Sequence, residues 1–307
     1  MKILVATDKP FAAIAVEQIK EVVEAGGHTL ALLEKYKTPQ ELHEAVKDAD
    51  AMIVRSDIID AAVVNAAPKL KIVVRAGAGY DNLDLEACTA HNIVAMNTPG
   101  QNSNAVAELA IGMMIYMARG GFDGKSGSEL RGKSLGIHAY GNVGKYVAAI
   151  AKGIGMDVYA FDPFVDAKTI KEAGVTPLAT VEELYSKCRY ISLHIPANEK
   201  TKKSIGTKLL SLMPADAVLV NTARKEVINE EELVALMEKR PDFKYLSDVA
   251  PDNSTIFAEK FSGRFFFTPK KMGAQTEEAN INAGVAAARQ IVDFFATGNE
   301  TFRVNKK

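Results

Sequence analysis

Short apolar segments rich in β-branched residues alternate with helical patterns along almost the whole 307-residue chain. The first such segment is KILVAT at residues 2–7. The next stretch, AAIAVEQIKEVVEAG, has apolar residues at spacings of three and four, and Gly26 ends its pattern. Continuous apolar strands that alternate with helices are typical of parallel sheets with helices on both faces. The alternation therefore predicts an α/β fold.

The strand-like segments are too many for a single sheet of this kind, and the length of the chain also fits two domains. HTLALLE, AMIVRS, KIVVRAG and IVAMNTP continue the first series, and a second series follows: SLGIHAYG, DVYAFDP, YISLHIP, AVLVNTA, KYLSDVA and FFFTP. We expect two doubly wound parallel-sheet domains with a cleft between them. Because the last helical pattern, EEANINAGVAAARQIVDFFATG, is expected to return to the first domain, that domain is assigned residues 1–101 plus 283–307, and the second domain 102–282.

Composition excludes several classes of protein. The formal net charge is −1, so no global basic field favours nucleic acid. The two cysteines, Cys88 and Cys188, lie far apart and in no metal or redox spacing, which favours a reducing compartment. No segment approaches the ~18 apolar residues of a membrane span, and the N-terminal apolar run is too short for a signal peptide. We therefore expect a cytoplasmic protein without a metal, a membrane contact or a nucleic-acid partner.

A glycine-containing turn lies between an apolar strand and an apolar helix in SLGIHAYGNVGKYVAAIAKGIG. It resembles the dinucleotide fingerprint G-x-G-x-x-G, although Ala139 replaces the first glycine. Glycines at the later positions let the backbone approach a pyrophosphate, and the helix start offers unpaired N–H groups. Many strand-to-helix turns contain two glycines for packing alone, so the turn by itself is weak evidence. The candidate cofactor-binding residues of this turn are Tyr140, Gly141, Asn142, Val143 and Gly144.

The next apolar strand, DVYAFDP, ends at Asp162 and Pro163, and Asp162 lies 18 residues after Gly144. An acidic residue about 20 residues after the glycines is the acceptor that the ribose hydroxyls of NAD require. The alternative is a helix cap before Pro163. The combination predicts a Rossmann-type NAD-binding domain.

Several longer motifs resemble the D-2-hydroxyacid dehydrogenase family and, within it, the phosphoglycerate dehydrogenases. VRSDIIDAAVVNAAPKLKIVVRAGAGYDNLDLEAC and IVAMNTPGQNSNAVAELAIGMM are similar to the substrate-domain signature. AYGNVG, FDP, SLHIPANEKTK, NTARKEVINEEEL and SDVAP follow the cofactor-domain signatures in order. The resemblance covers nearly the whole chain and implies a flavodoxin-like substrate domain beside the NAD domain.

The resemblance assigns roles at the strand ends of the cofactor domain. It implies that Arg224 binds the substrate carboxylate, for which a planar guanidinium is suited. It implies that Asp248 contacts the nicotinamide amide. His194 matches the H-x-P motif at the cofactor edge, and a packed strand-end histidine is the alternative. The other residues that match cofactor-binding positions are Pro196, Thr201, Asn221, Thr222, Ala223 and Gly273.

The substrate domain is expected to bind the anionic groups of the substrate. Arg55, Ser56 and Arg75 match positions that meet the phosphate in phosphoglycerate dehydrogenases, and a structural salt bridge is the equal alternative for each arginine. Backbone N–H groups of the RAGAG segment match positions that hold the carboxylate; its candidates are Gly77, Ala78 and Gly79.

The family's proton-transfer histidine, in a pattern like P-H-x-G-A-x-T, has no counterpart among the five histidines of this chain. Alignment on Gly273 puts Lys271 in its place, as in a branch of the phosphoglycerate dehydrogenases, and Lys270 is expected to be a solvated neighbour. The family's glutamate partner is also replaced, by Asn253 beside Asp252. A lysine would need desolvation or nearby positive charge instead, because an acidic partner would raise its pKa further.

The resemblance implies NAD-dependent oxidation of 3-phosphoglycerate to 3-phosphohydroxypyruvate, the first step of serine biosynthesis, with Arg224 and Lys271 as catalytic residues. It also implies a homodimer. Because the sequence ends at Lys307 directly after the last helical pattern, we expect no serine feedback through the C-terminal regulatory domain of longer relatives. A hydroxypyruvate or glyoxylate reductase is the first alternative, in which Arg55 and Arg75 would pair with protein carboxylates. A non-enzymatic NAD-sensing protein is the second.

Overall fold

The structure is a computed structural model that describes residues 1–306. The chain divides into two compact units, the first made of Met1–Asn102 and the chain from Gln275 onward, the second of Ser103–Ala274. The sequence analysis placed the point at which the chain returns to the first unit between residues 282 and 283. It lies eight residues earlier because the whole last helix, Glu277–Thr297, packs on elements of the first unit.

Strands and helices alternate along residues 1–306. The strands are β1 (Lys2–Thr7), β2 (Thr29–Glu34), β3 (Ala51–Val54), β4 (Ile72–Arg75), β5 (Val94–Asn97), β6 (Ser134–His138), β7 (Asp157–Phe161), β8 (Thr176–Pro177), β9 (Tyr190–Leu193), β10 (Val218–Asn221), β11 (Lys244–Ser247) and β12 (Phe265–Phe267). The helices are α1 (Ala13–Ala25), α2 (Pro39–Val46), α3 (Ala61–Asn65), α4 (Leu85–Ala90), α5 (Ser103–Ala118), α6 (Asn142–Gly153), α7 (Ala167–Glu172), α8 (Val181–Lys187), α9 (Thr207–Leu210), α10 (Glu230–Lys239), α11 (Ser254–Lys260) and α12 (Glu277–Thr297). No helix in residues 1–306 is both long and apolar enough to cross a membrane.

The first unit contains a five-stranded parallel sheet in the order β2-β1-β3-β4-β5. This is the flavodoxin-like order. Side chains alternate across the sheet: Ile3 and Val5 of β1 join the core that includes α1 and α12, whereas Leu4 and Ala6 join the core on the other face. Both faces are therefore buried, which explains why these strands are continuous apolar runs.

The second unit contains a seven-stranded parallel sheet in the order β12-β11-β10-β9-β6-β7-β8. Counted from β6, the first six strands have the Rossmann order, with β12 added at one edge. The two-residue strand β8 is absent from the sequence prediction. It lies at the other edge, where a strand tolerates Pro177 because the missing N–H is not needed by a further neighbour.

All the strands of each sheet run in one direction, so their carboxyl ends lie along one edge of that sheet. Ligands of open α/β sheets bind outside this edge. The loops that follow β6, β7, β9, β10, β11 and β12 form the candidate site of the second unit. The loops after β1, β3, β4 and β5 form that of the first.

Helix α6 approaches β6 closely at Gly144. A Cβ on Gly144 would lie 2.4 Å from the carbonyl oxygen of Ala139 and 2.9 Å from Cγ2 of Ile137. Only glycine fits this contact without displacing backbone. The start of α6 is thereby held directly at the end of β6.

Replacing Gly144 with alanine should destabilise the apo protein by about 1–3 kcal/mol, because the added methyl overpacks a backbone contact. Gly153→Ala in the same helix is the matched control, since a Cβ there meets no atom within 4 Å. It should be neutral or stabilise by up to about 1 kcal/mol through helix propensity. Chemical denaturation measures both, and equal effects of the two substitutions would contradict the close contact.

Candidate active site

The turn from β6 to α6 leaves room at the start of the helix. Gly141 precedes α6, no atom lies within 4 Å of where its Cβ would be, and no side chain caps the helix. The first turn contains no acidic residue. Its N–H groups and the positive end of the helix dipole can therefore receive an anion such as a pyrophosphate.

Ala139, at the position of the first fingerprint glycine, has a φ of 79°. This is a left-handed conformation that glycine adopts easily and alanine does not. The position of the first fingerprint glycine thus has a backbone conformation that favours glycine, although alanine occupies it.

Asp162 follows β7 and joins two loops. One carboxylate oxygen accepts a hydrogen bond from the N–H of Tyr140 (2.7 Å), and the other from the N–H of Phe164 (2.8 Å). The next helix is capped by Asp166 instead, which accepts from Lys168. Each carboxylate oxygen of Asp162 retains a lone pair for a further donor. Asp162 therefore fits the role of a ribose acceptor at this edge.

Buried polar atoms without a hydrogen-bond partner in residues 1–306 also occur at this edge. They include Nε2 of His194 and Oγ1 of Thr222, after β9 and β10. Buried polar groups in proteins nearly always have a partner, so these atoms are suited to a bound polar ligand. Together with the open Gly141 turn, they fit a dinucleotide such as NAD.

The other residues matched to this edge form local turns. Thr201 donates through Oγ1 to the carbonyl of Pro196 (2.5 Å) and accepts from the N–H of Asn198 (2.9 Å). It thereby closes the loop after His194. Asn142 and Pro163 are exposed, Val143 and Ala223 are half-buried, and Tyr140 is buried.

Two histidines lie at the ends of β6 and β9. Burial lowers the pKa of His138 to about 4, although the nearby Asp162 carboxylate opposes the shift. Burial likewise lowers the pKa of His194 to about 3, assisted by the charge of His138. His138 Nδ1 lies 3.1 Å from the hydroxyl of Tyr185. Both imidazoles are therefore neutral near pH 7.

Arg224 lies three residues beyond the end of β10 and is half-buried. Its Nη1 donates to the carbonyl of Ala223 (3.0 Å), and it forms no salt bridge with a carboxylate in residues 1–306. The side chain of Asn221 holds this turn by donating to the carbonyl of Arg224 (2.9 Å) and accepting from the N–H of Ala223 (3.0 Å). The turn presents a guanidinium whose charge is not neutralised by an acidic side chain.

The carboxylate of Asp248 is buried and accepts three hydrogen bonds from the loop after β12. Oδ1 accepts from the hydroxyl of Thr268 (2.8 Å) and from the N–H of Met272 (2.9 Å), and Oδ2 accepts from the N–H of Gly273 (2.8 Å). The resemblance assigned Asp248 to the nicotinamide amide. In the structure these three hydrogen bonds come from the loop that carries Lys271, and the nicotinamide contact of Asp248 stays a prediction.

Lys270 and Lys271 are both exposed in that loop. The expected desolvation of Lys271 is therefore absent from the structure. Asp252, the acid nearest to the family's glutamate position, pairs with Lys225 at 2.5 Å. The N–H groups of Asp252 and Asn253 both donate to the carboxylate of Glu230, at 3.1 Å each.

Arg55 lies at the carboxyl edge of the first unit's sheet. Its Nη1 donates to the carbonyls of Lys9 (2.9 Å) and Pro10 (3.0 Å), and its Nη2 to Oδ1 of Asn280 (2.6 Å). Burial lowers its pKa, while the carboxylates of Asp57 and Asp8 oppose this. Arg55 makes no salt bridge in residues 1–306, so the structural salt bridge that was the alternative for this arginine is absent.

In the segment after β4, one of the three N–H groups predicted to bind the substrate carboxylate already has a hydrogen-bond partner. Gly77 has a φ of 148°, and its N–H donates to the carbonyl of Arg75 (2.9 Å), so it is not available to a carboxylate. The N–H groups of Ala78 and Gly79 have no partner in residues 1–306. The guanidinium of Arg75 lies against Gly77, and its Nε donates to the carbonyl of Arg55 (3.0 Å); Ser56 is exposed.

Sequence reasoning missed Asp57, which is buried two residues after Arg55. It accepts from the N–H of Asp8 (2.7 Å), the hydroxyl of Tyr36 (2.7 Å) and the N–H of Arg55 (3.2 Å). One carboxylate thus connects the loops after β1, β2 and β3. An acidic residue just beyond a fully apolar strand was the available signal.

Comparisons with known proteins agree with this geometry. A sequence model of the D-isomer specific 2-hydroxyacid dehydrogenase, NAD binding domain, matches residues 109–264. A crystal structure of NAD⁺-bound 3-phosphoglycerate dehydrogenase from Entamoeba histolytica is 52% identical and has a TM-score of 0.87, covering 100% of this chain and 99% of that one.

A curated D-3-phosphoglycerate dehydrogenase from Methanocaldococcus jannaschii is 35% identical over 95% of this chain and 57% of its own length. One from Synechocystis is 34% identical over 82% of this chain and 48% of its own length. This chain thus spans about half the length of the curated relatives it matches. The D-lactate dehydrogenase of Escherichia coli, 21% identical with a TM-score of 0.80, shares the fold.

The buried histidines predict acid sensitivity. In the unfolded chain His138 takes up a proton near pH 6.5, whereas in the folded protein it stays neutral until about pH 4. The stability that the neutral, buried His138 contributes is therefore fully present above pH 6.5 and is lost as the pH falls from 6.5 to 4. The loss from His138 should be on the order of 3 kcal/mol. His138→Gln should flatten the pH dependence of the free energy of unfolding by roughly one proton. An unchanged slope between pH 6.5 and 4 would contradict the lowered pKa.

Proposed function

Because the chain belongs to the D-isomer specific 2-hydroxyacid dehydrogenase family, we propose that it oxidises 3-phosphoglycerate to 3-phosphohydroxypyruvate with NAD, the reaction that begins serine biosynthesis. The observation that carries the proposal is Arg224. It is a half-buried guanidinium without a carboxylate partner in residues 1–306, on the same sheet edge as the NAD-type turn at Gly141. Assembly into a homodimer stays a prediction.

The second unit supplies the cofactor side of the reaction. The N–H groups at the start of α6 would hold the pyrophosphate, and Asp162 would accept hydrogen bonds from the ribose hydroxyls. The same carboxylate would repel the additional phosphate of NADP. NAD, when bound, supplies the hydride acceptor.

Arg224 would bind the substrate carboxylate. A guanidinium donates two parallel hydrogen bonds to a carboxylate, which fixes both the position and the rotation of the substrate. Because the turn around Arg224 is held by Asn221, its backbone is positioned before the substrate arrives. Such positioning lowers the entropic part of the barrier.

Lys271 would transfer the proton. In the oxidative direction its neutral amine takes the proton of the C2 hydroxyl, while the C2–H bond breaks and its electron pair leaves with the hydride. In the reductive direction the ammonium returns the proton to the developing alkoxide and stabilises its charge. No histidine of the sequence follows β12 to provide an alternative.

Arg55 would bind the phosphate. Three of its five N–H donors are directed to protein oxygens, which holds the guanidinium in place and leaves two donors for an anion. The N–H groups of Ala78 and Gly79 are further donors of the same unit. A reductase of unphosphorylated 2-ketoacids would not need the charge of Arg55.

Replacing Lys271 with methionine should lower kcat by roughly a hundred- to ten-thousandfold, as expected for loss of a general acid–base. Lys270→Met is the matched control, because the neighbouring lysine has the same charge and is also exposed. The control should keep wild-type kcat in an assay of NADH oxidation with phosphohydroxypyruvate. Loss of activity in Lys270→Met with Lys271→Met active would reassign the role to Lys270.

The wild-type enzyme should prefer phosphohydroxypyruvate over hydroxypyruvate by at least about a hundredfold in kcat/KM, since two charge-assisted contacts contribute ~1.5–3 kcal/mol each. Arg55→Gln should lose most of this preference while its kcat/KM for hydroxypyruvate stays near the wild-type value. A ratio near one in the wild type would instead support a reductase of unphosphorylated hydroxyacids.

A further inference from the structure

Four uncharged groups, which we call the Arg55 cradle, hold the guanidinium of Arg55. Nη1 donates to the carbonyls of Lys9 and Pro10, Nη2 donates to Oδ1 of Asn280, and Cζ lies 5.1 Å from the centre of the Phe11 ring. We propose that Asn280 and Phe11 are positioning residues, which hold Arg55 without neutralising its charge and thereby determine the preference for a phosphorylated substrate. The inference rests on the proposed function, because it deepens the role given there to Arg55.

The amide of Asn280 is oriented by its own helix. Asn280 is the fourth residue of α12, and its Nδ2 donates to the carbonyl of Thr276, the residue before the helix (2.7 Å). Because the amide nitrogen is engaged there, the amide oxygen is directed at Arg55 and lies 2.6 Å from Nη2. An amide oxygen accepts this hydrogen bond without a formal charge, whereas an aspartate at the same place would form a salt bridge with Arg55.

The ring of Phe11 is fixed by the same helix. Phe11 is only 5% exposed, and a Cβ on Gly284 would lie 3.0 Å from Cε1 of its ring. Gly284 follows Asn280 by four residues, so both lie on one face of α12. The face of an aromatic ring attracts a cation through its quadrupole and carries no net charge. One helix face therefore supplies the amide and also leaves space for the ring.

The two carbonyls of the cradle belong to a loop that is itself held in place. Oγ1 of Thr7 donates to the carbonyl of Lys9 (2.6 Å), and the N–H of Asp8 donates to the carboxylate of Asp57 (2.7 Å). The same carboxylate accepts the N–H of Arg55 (3.2 Å), so this loop and the backbone of Arg55 share one partner. The position of the guanidinium is thus set before a ligand arrives.

The cradle leaves both charge and donors for a ligand. Burial lowers the pKa of Arg55, and the carboxylates of Asp57 and Asp8 oppose this, but neither forms a salt bridge with it in residues 1–306. The remaining donors are the N–H of Nε and one N–H of Nη2, which together can bind two oxygens of one phosphate. A half-buried cation without an ionic partner is unfavourable, and an anionic ligand offsets that cost.

Replacing Asn280 with aspartate tests the absence of charge at nearly constant shape. The carboxylate would pair with Arg55 and cancel the charge that the phosphate needs, so kcat/KM for phosphohydroxypyruvate should fall at least about tenfold. For hydroxypyruvate, kcat/KM should stay within about twofold of the wild-type value, because this substrate has no phosphate. The carbonyl of Thr276 keeps a partner in the variant, since it also accepts the backbone N–H of residue 280 (3.2 Å).

Asn282→Asp is the matched control for the added charge. Asn282 lies in the same helix and is exposed, and residues two apart on a helix do not face the same way. The control should therefore keep both kcat/KM values of the wild type.

Replacing Phe11 with leucine tests the ring. Leucine keeps the place apolar but has no π face, so the preference for phosphohydroxypyruvate should fall roughly three- to tenfold. Phe261→Leu is the matched control: Phe261 is 1% exposed, and its ring centre lies 4.7 Å from Cζ of Arg264, which has no proposed substrate role. Chemical denaturation should show that both variants lose stability, whereas only Phe11→Leu should lose the preference.

NMR relaxation of the Arg55 side chain measures the cradle independently of activity. The ¹⁵N signal of Nε is assigned by its loss in Arg55→Gln. The order parameter of this N–H should be near that of rigid backbone in the wild type and in Phe261→Leu, about 0.8, and should fall below about 0.6 in Phe11→Leu.

The outcomes separate this inference from the proposed function. A preference that falls in Asn280→Asp and Phe11→Leu, with both controls at wild-type values, supports the positioning role. A preference that Arg55→Gln loses and that Asn280→Asp and Phe11→Leu retain overturns it and leaves the proposed function intact. If the wild type shows no preference while Phe11→Leu still mobilises Arg55, the phosphorylated substrate is wrong, whereas the cradle stands and holds Arg55 for a different anion.

Discussion

Each unit of this protein contains a buried carboxylate that forms no salt bridge in residues 1–306: Asp57 in the first unit and Asp248 in the second. Such a charge is tolerated only where donors surround it, and here the donors are N–H and hydroxyl groups of the functional loops. The need to satisfy one buried charge therefore holds several loops at once. Loops that would otherwise be mobile become parts of a defined site.

The parallel sheets explain why these carboxylates lie where they do. Since all the strands of a sheet point the same way, their carboxyl ends place successive loops side by side. A single acidic residue at one strand end can then reach the loops of its neighbours. Asp57 connects three consecutive strand ends of the first sheet, and Asp248 connects β11 with β12 and, through its N–H, with β10. The fold thus determines which groups can be held together.

The electrostatic character of the second unit's edge follows from the same arrangement. The uncapped start of α6, the guanidinium of Arg224 and the loop with Lys270 and Lys271 all favour negatively charged ligands. The buried histidines add no positive charge near neutral pH, because burial keeps them uncharged. An anionic cofactor and an anionic substrate are suited to such an edge.

Sequence alone determined the architecture, because apolar runs of strand length that alternate with helical periodicity allow only parallel sheets with both faces covered. It also supplied the candidate residues: the dinucleotide pattern indicated the Gly141 turn and Asp162, and the resemblance to the D-2-hydroxyacid dehydrogenases implied Arg224 and Lys271. Tertiary structure decided which partner each polar group takes. The N–H of Gly77 donates to the carbonyl of Arg75, and the carboxylate of Asp57 accepts hydrogen bonds from three loops. The carboxylate of Asp248 accepts hydrogen bonds from the loop of Lys271, and Lys271 is exposed where desolvation was expected. Hydrogen-bond partners depend on distances of a few tenths of an ångström between segments far apart in sequence, and no local pattern encodes those distances.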